Sequence, residues 1–599
     1  MPDVLEAQKV LKGGEFLIAN ATPDSTFTPE DFNEEQRMVK QMVEDFIQQD
    51  IIPNLDKIEK QEDQIAVKLL DKMAELGLLG SHMPEAYGGM EMDTNTNTLI
   101  CDVMGGSSGS FTVSFAAHTG IGMLPILYYG SEEQKEKWLP RLINGELKAA
   151  YCLTEPGSGS DATGAKTTAM RDGDEWVLNG QKMWISNAGF ADVFIVFAQA
   201  DGDKFTGFIV PKDTDGLTLG AEEDKLGIKG SSTRQVFFEN ARIPADSFLG
   251  EIGKGHLIAF NVLNVGRFKL HALSIGGSKR SLSIGINYAN ERIQFKQPIA
   301  NFGAIKHKIA ESAIQIFTGE SSLYRVSQQI QDMNKSLMAD GKTFAEAKRL
   351  SAEEYAIECA LLKFIGSELL DYTVDEVLQI HGGMGYSEET LAPRMYRDAR
   401  INRIYEGTNE INRLLSVDML MRRAMKGAID LVGPAWNVQK ELAQPADKSI
   451  PEGPYGAEVK AVADFKKAIL MVVGAAAKAQ MDGKLHLKTE QEIIMNVSDM
   501  LADLLNAEST LLRLQKLRAN GKGSQPQEVY NAILRTYVHD ANARIAKNGL
   551  DAVAGFAEGE MLDVFVRGLR RFTQYAPQNV KALRRIVADD LIAKNEYAL

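Results

Sequence analysis

The chain has 599 residues, 44% hydrophobic and 25% charged, with a formal net charge of −15. This length exceeds what one compact core supports, so several domains are expected. The acidic balance argues against nucleic acid as a partner, because phosphate binding needs a basic surface. Cys101, Cys152 and Cys359 lie far apart, which indicates neither a disulfide framework nor a metal site and fits a reducing compartment.

Residues 1–32 are acidic and mixed in composition, unlike a signal or transit peptide, and are predicted to form an N-terminal arm. No apolar run reaches the roughly 18 residues that a membrane-spanning helix needs. These features favour a cytoplasmic location.

Residues 33–148 are predicted to form an α-helical domain. Met38, Met42 and Phe46 recur at four-residue steps, as the apolar stripe of an amphipathic helix requires.

Residues 149–255 change character and predict a small middle β domain of short strands separated by turn residues. Within it, Asn179-Gly180 is typical of a type I′ turn, so Glu175–Ile185 is predicted to be a hairpin.

Helical periodicity resumes and predicts a second helical domain over residues 256–430. Prolines and glycines cluster over residues 431–456, which are predicted to be an irregular linker. Residues 457–599 are predicted to form an additional helical domain. Its apolar run Ala468–Ala477 is short for a membrane element and more typical of a core helix.

Cys152–Gly164 alternates small residues with glycines, which lets backbone amides approach a ligand closely. Hydroxyls at Thr154, Ser158 and Ser160 add donors. The segment lacks the Gly-Lys-Ser/Thr of a P-loop and the context of a dinucleotide fingerprint. A flexible surface loop is the simpler alternative.

Gln379–Asp398 contains three closely spaced glycines after a helical stretch. A helix stop explains Gly382 or Gly383, but not the whole set. His381 is interpreted as structural rather than catalytic.

Glu406 precedes Gly407-Thr408 in an otherwise apolar and basic segment, Arg400–Ile411. A carboxylate buried there makes sense as a base that takes a proton from a carbon acid, because burial raises its pKa. Two other interpretations are open: a capping carboxylate at a helix start, and a buried ion-pair partner of Arg403.

Cys152–Gly164 and Gln379–Asp398 resemble the two signature patterns of the acyl-CoA dehydrogenase family along their full lengths. Trp184–Gly189 is similar to the family's flavin-contacting strand, and Tyr405–Thr408 is similar to its catalytic segment. The C-terminal extension and Asn264–Phe268 resemble the very-long-chain type.

The resemblance implies a mainly α fold with an α-helical N-terminal domain, a β-barrel-like middle domain, a four-helix-bundle domain and an extra C-terminal helical domain. It implies FAD as the cofactor and the α,β-desaturation of a long-chain fatty acyl-CoA to trans-2-enoyl-CoA in fatty acid β-oxidation. Glu406 would take the α-proton while a hydride passes to flavin N5.

The resemblance also implies residue roles. The positions implied to line FAD are Tyr151, Leu153, Thr154, Gly159, Ser160, Trp184, Ser186, Thr408 and Glu410. A second set, which in the family reaches the cofactor of a neighbouring subunit, is Arg292, Phe295, Gln379 and Gly383. The implied substrate-binding positions are Ser160, Asn264, Arg267, Tyr405 and Gly407. Glu410 stands where Gln is common, and Asn264 stands where medium-chain members have Asp.

The partners implied are an electron-transfer flavoprotein as electron acceptor, a second copy in a homodimer, and weak membrane-surface contact through the C-terminal domain. Small residues at Ala117, Gly120 and Gly122 agree with a deep channel for a long acyl chain, and helix packing explains them almost as well. An acyl-CoA oxidase of the same fold and a non-catalytic assembly or scaffold protein are the alternative functions.

Overall fold

The computed structural model describes residues 10–599, so the first nine residues of the predicted arm lie outside the described part. The rest of the arm packs on the helical domains through short 3-10 turns. The Gly14 N–H donates to the Glu358 carboxylate at 2.6 Å. Glu30 accepts hydrogen bonds from the buried Arg513 guanidinium, the shorter at 2.6 Å. These contacts anchor the arm to the second helical domain, through Glu358, and to the additional C-terminal domain, through Arg513.

The N-terminal domain is helical, and side-chain caps mark where several of its helices begin. Asn33 accepts a hydrogen bond from the Gln36 N–H at 2.8 Å at the first helix start, as expected for a capping box. The helices are α1 (Glu34–Phe46), α2 (Leu55–Glu59), α3 (Ile65–Glu75), α4 (Thr94–Gly105), α5 (Gly109–Ala116), α6 (Leu124–Tyr129) and α7 (Glu132–Ile143).

A π-helical turn, Ala117–Gly122, joins α5 to α6. The resulting run Gly109–Tyr129 is long and apolar enough to cross a membrane by length and composition, which corrects the expectation that no run is. In the structure 89% of its most apolar window is buried. It therefore packs as a core helix of the folded protein.

The middle domain is a sheet of β1 (Ala149–Cys152), β2 (Thr168–Asp172), β3 (Glu175–Ser186), β4 (Val193–Ala200), β5 (Lys204–Pro211), β6 (Leu217–Glu222), β7 (Thr233–Pro244) and β8 (Phe248–Leu249). The strand order is β6-β7-β3-β2-β4-β5-β8, and β1 pairs in parallel with β4. Val193, Ile195 and Phe197 of β4 pack toward the N-terminal helices. The alternate residues Phe194 and Val196 pack inside the sheet domain, so both faces of this strand are buried.

The predicted hairpin at Asn179-Gly180 is wrong. β3 continues through these residues, and the pairing shifts register between Leu178 and Gly180. The actual turn is Gly173-Asp174, because Asp172 pairs with Glu175 and Gly173 has φ 59°. β3 has a partner on each side, β2 and β7, so its Asn-Gly pair forms a bulge rather than a turn.

The second helical domain contains α8 (Gly255–Glu291), α9 (Gly303–Ala339), α10 (Phe344–Glu354), α11 (Ala356–His381), α12 (Ala392–Arg400) and α13 (Asn409–Met425). α8, α9 and α11 pack against one another, and α13 packs against α11. A short hairpin of β9 (Ile293–Gln294) and β10 (Gln297–Pro298) follows α8.

The expectation of irregular structure over residues 431–456 is wrong in part, because Val432–Leu442 forms helix α14. Proline is tolerated in the first turn of a helix, and Pro434 lies there. The remaining helices are α15 (Gly456–Met481), α16 (Gln491–Asn520), α17 (Gln527–Ala554), α18 (Gly559–Phe572) and α19 (Val580–Lys594).

The additional C-terminal domain shares an apolar core with the second helical domain. α16 packs on α9 and α13, and α19 packs on α9. The run Ala468–Ala477 lies within α15, where most of its side chains are buried. The domain is therefore an integral part of the fold.

Candidate active site

A cleft lies among the helices and is lined by one face each of α5 and α8 and by residues of α11 and α12. Glu406 and Tyr405 lie in its wall, and Ser186 at the end of β3 also lines it. The N-terminal, middle and second helical domains therefore meet at this cleft. Three residues predicted for the site lie in one cavity, although Ser186 is far in sequence from the adjacent pair Tyr405 and Glu406.

Glu406 and Gly407 adopt left-handed backbone conformations, with φ 57° and 81°. A left-handed conformation is unfavourable for a non-glycine residue, by about 1–2 kcal/mol. Buried side chains hold this segment in place. Arg267 Nε donates to the Glu406 carbonyl at 3.1 Å, and Lys363 Nζ and Asn412 Nδ2 donate to the Gly407 carbonyl at 2.7 and 2.8 Å.

The Glu406 carboxylate lies against Gly266 of α8. A Cβ at Gly266 would lie 2.6 Å from Glu406 Oε2, so only glycine leaves room for it. Oε2 is shielded from solvent and has no hydrogen-bond partner among residues 10–599. Burial raises the pKa of Glu406 to about 7, although the charges of Arg267 and Lys363 oppose the shift. With a pKa near neutral pH, Glu406 is suited to act as a general base.

The two structural interpretations of Glu406 are not supported. The start of α13 is capped by Thr408, whose Oγ1 accepts from the Ile411 N–H at 3.2 Å. Arg403 pairs with Asp371 at 2.8 Å rather than with Glu406. The Glu406 carboxylate faces the cleft and neither caps α13 nor forms an ion pair with Arg403.

The two segments predicted to contact the flavin are joined to each other. The Met183 N–H donates to the Thr154 carbonyl at 3.0 Å, and Lys182 Nζ donates to the Leu153 carbonyl at 3.3 Å. Lys182 also forms a buried ion pair with Glu155 at 2.6 Å. Thus β3 and the loop after β1 form one unit.

Glu155 organises the glycine-rich loop from inside. Its carboxylate accepts hydrogen bonds from the Lys166 and Thr167 N–H groups at 2.6 and 3.0 Å. Gly159 and Ser160 are exposed, and a Cβ at Gly159 would meet no atom within 4 Å. The loop is therefore anchored on its inner side and open on its outer side, unlike a merely flexible surface loop.

Trp184 is 52% exposed and has a left-handed φ of 61°, at a second register shift between Lys182 and Ile185. Tyr151 Oη is buried without a partner among the described residues. Burial, with a smaller effect of the Glu406 charge, raises the pKa of Tyr151 well above its usual value. An outward indole thus stands two residues before Ser186, and an unpaired phenol lies within reach of the Glu406 charge.

Of the first set of predicted flavin contacts, only Ser186 is among the residues that line the cleft in the described chain. The second set lies on another surface. Arg292, Phe295, Gln379 and Gly383 are exposed and are not among the residues that line the cleft. Tyr288 and His381 link their two segments, with ring centroids 4.1 Å apart. His381 Nδ1 is bonded to the Val377 carbonyl, which agrees with its predicted structural role.

Of the predicted substrate residues, Tyr405 lines the cleft, whereas Arg267 and Asn264 are buried behind Glu406 and hydrogen-bonded to each other at 2.9 Å. Gly407 lies in the segment that they support. Glu410 is exposed in the first turn of α13. The flavin and substrate contacts of these residues stay predictions.

The sequence reasoning missed the residues that position the acid: Gly266, Lys363 and Asn412. Gly266 stands beside Arg267 in a segment already noted, so its small size was a usable signal. Asn412 lies five residues after Gly407, so its closeness in sequence was also a usable signal. Nothing local marks Lys363, because its partner is a backbone carbonyl 44 residues away.

Family sequence models agree with this arrangement. The acyl-CoA dehydrogenase N-terminal, middle and C-terminal domains match residues 33–146, 150–241 and 253–421. A further acyl-CoA dehydrogenase C-terminal domain matches residues 464–571.

Known proteins resemble the chain over its whole length. A probable acyl-CoA dehydrogenase of Bacillus subtilis (strain 168) is 45% identical over 602 residues, covering 99% of this chain and 100% of the relative. The crystal structure of an acyl-CoA dehydrogenase complexed with FAD from Bacillus anthracis has TM-score 0.95 and 44% identity, covering 98% of this chain and 100% of that one.

The mitochondrial very long-chain specific acyl-CoA dehydrogenase of Rattus norvegicus is 38% identical over 370 residues, covering 60% of this chain and 53% of the relative. The domain matches, these relatives and the cleft with its buried acid lead to one conclusion. The chain belongs to the acyl-CoA dehydrogenase family of oxidoreductases and carries that family's additional C-terminal domain.

Proposed function

We propose that this protein is an FAD-dependent dehydrogenase that converts long-chain fatty acyl-CoA to trans-2-enoyl-CoA in fatty acid β-oxidation. The observation that carries the proposal is the Glu406 carboxylate, which faces the cleft with an unpaired, shielded Oε2 and a pKa of about 7. A carboxylate with this pKa is a stronger base than an ordinary glutamate.

The residues around the acid fit a flavin. Tyr151 Oη is a buried polar atom without a partner in the described chain, and Trp184 offers an exposed indole face. Thr154 and Ser186 add hydroxyl donors, and exposed Gly159 and Ser160 leave room for a long polar cofactor. When bound, FAD supplies the acceptor for the hydride that leaves the substrate β-carbon.

The chain's own task in this chemistry is proton removal. Glu406 Oε2 takes the proton from the substrate α-carbon, and the contact with Gly266 and the fixed backbone restrict where that oxygen lies. The Glu406 N–H has no acceptor within residues 10–599, so it is free to donate to the thioester oxygen as negative charge develops there. Because the surrounding hydrogen bonds fix the backbone here, this N–H would not have to move when it stabilises the developing charge.

The proposal includes a homodimer that passes electrons to an electron-transfer flavoprotein. Arg292, Phe295, Gln379 and Gly383 lie exposed on one surface outside the cleft, and Phe295 is 87% exposed. Ile293 and Tyr386 in the same two segments are also exposed, at 52% and 90%, and large exposed apolar residues in a group favour a subunit contact. A second copy seated there would receive these side chains at its own cofactor.

Glu406→Gln tests the proposal. The purified variant should retain bound FAD and lose anaerobic bleaching of the flavin by acyl-CoA by at least about 10³-fold, because the amide cannot accept the α-proton. Glu353→Gln, an exposed glutamate paired with Arg349, is the matched control and should bleach normally. Bleaching of Glu406→Gln at the wild-type rate would refute the assignment.

Titration of the wild-type protein across acyl lengths measures the substrate range in the same assay. Peroxide formed from hexadecanoyl-CoA without an added acceptor would indicate an oxidase instead. If no acyl-CoA bleaches the flavin of the FAD-loaded protein, the result would favour a non-catalytic scaffold protein.

A further inference from the structure

The cleft continues far beyond the acid along one face of α8. Gly266 touches the Glu406 carboxylate, and Leu270, Leu273, Gly277 and Arg280 follow along the wall. These positions are spaced by three or four residues, so they form one stripe. Arg280 lies fourteen residues beyond Gly266, which is about 21 Å at the rise of an α-helix.

Apolar and small residues form part of the wall opposite α8 along this path. Val113 and Ala116 line the cleft from α5, Ala117 and Gly120 from the turn after it, and Leu370 and Val374 from α11. Gly122, by contrast, does not line it, and a Cβ there would meet Ala149 at 2.7 Å. Such walls suit a hydrocarbon chain between the acid and Arg280.

The end of the path is charged. Arg280 Nη1 donates to the carbonyls of Gly106 and Ser107 at 2.5 and 2.9 Å. Burial lowers the pKa of Arg280, and no carboxylate pairs with it among residues 10–599. Its neighbour Lys279 differs, because it pairs with Asp102 at 2.7 Å and with Glu320 at 2.5 Å.

The other charged groups along the cleft do not neutralise Arg280. Arg394 binds Asp56 at 2.7 Å, and Asp398 accepts a hydrogen bond from the Ile228 N–H at 2.5 Å. An arginine has five donor hydrogens, so Arg280 retains donors for a ligand. A partly desolvated guanidinium without an acid is costly, and a ligand carboxylate would relieve that cost.

We propose that Arg280 binds a carboxylate at the far end of the acyl chain, so that the substrate class is a long α,ω-dicarboxylic acid held as its mono-CoA thioester. This inference rests on the proposed function. An extended chain advances about 1.2 Å per bond. A 16-carbon acyl group has 14 bonds from its α-carbon to its far carboxyl carbon, about 17 Å, and the Arg280 side chain spans the rest of the roughly 21 Å along α8. Lys269, which lines the cleft one turn from Gly266, would instead hold the carboxylate of a short diacid.

The experiment compares kcat/KM of the FAD-loaded protein for hexadecanedioyl-CoA, hexadecanoyl-CoA and hexanedioyl-CoA. The expected wild-type preference is for hexadecanedioyl-CoA. In Arg280→Gln the ratio of hexadecanedioyl-CoA to hexadecanoyl-CoA should fall by about 10- to 100-fold, the range for losing a charged hydrogen bond. Arg280→Lys keeps the charge and should lose less.

The control is Arg422→Gln, which removes an exposed arginine of α13 paired with Asp418 and should leave the ratio unchanged. A ratio that Arg280→Gln does not alter overturns the inference, and so does a preference for hexanedioyl-CoA. If no thioester is oxidised, the proposed function fails. The affinities of hexadecanedioyl-CoA and hexadecanoyl-CoA are then measured by calorimetry for the wild type and Arg280→Gln. A ratio of the two affinities that Arg280→Gln does not alter overturns the inference.

Discussion

Replacing Gly266 with alanine is expected to slow substrate-driven flavin bleaching without unfolding the protein. The added Cβ would lie 2.6 Å from Glu406 Oε2, 2.9 Å from Cδ and 3.1 Å from Oε1. Carbon and oxygen atoms that are not bonded need about 3.4 Å or more. The carboxylate must therefore move by nearly 1 Å, because the helix backbone fixes the position of the new Cβ.

A displacement of about 1 Å in a reacting group costs on the order of 10²-fold in rate. The loss should appear in the rate of anaerobic bleaching by hexadecanoyl-CoA, measured by stopped flow. FAD content should remain that of the wild type, because Gly266 is not among the residues predicted to contact the cofactor. Helix propensity favours alanine by about 1 kcal/mol, so the thermal midpoint should not fall greatly.

Gly474→Ala is the control, because it adds the same methyl within α15, where the nearest atom is the Ala435 methyl at 3.2 Å. It should bleach at the wild-type rate. A Gly266→Ala protein that bleaches within about twofold of the wild type would refute the argument that glycine is required to seat the acid.

Three further outcomes are expected. The bleaching rate should rise with pH through about 7 and then level off, because Glu406 accepts a proton only when ionised and its pKa is about 7; a flat stopped-flow profile from pH 5.5 to 8.5 would contradict this. Lys182→Met should destabilise the protein by about 3–5 kcal/mol in urea unfolding, because Glu155 stays buried without its partner, and a loss under 1 kcal/mol would contradict it. Arg292→Ala should weaken FAD retention or dimerisation; a cofactor-replete dimer, seen by absorbance and light scattering, would contradict the role across subunits.

Local sequence signals were sufficient for much of the architecture. Four-residue spacing in Met38–Phe46 predicted a helix that α1 confirms, and the glycine-rich segments pointed to the family that the domain matches confirm. Such signals work because backbone preference and one-sided burial depend on residues a few positions apart. The same reasoning failed at Asn179-Gly180, because a strand on each side of β3 overrode a turn preference.

What only the tertiary structure decided is how distant segments meet. Arg267 and the Glu406 carbonyl are 139 residues apart in sequence, and nothing near either residue predicts their hydrogen bond. The sequence around Lys279 and Arg280 likewise does not indicate that Lys279 pairs with acids while Arg280 pairs only with backbone carbonyls. The sequence alone determined most of the helices and strands and which reactive side chains exist. Packing determined which of them are desolvated together, and desolvation sets the basicity of Glu406.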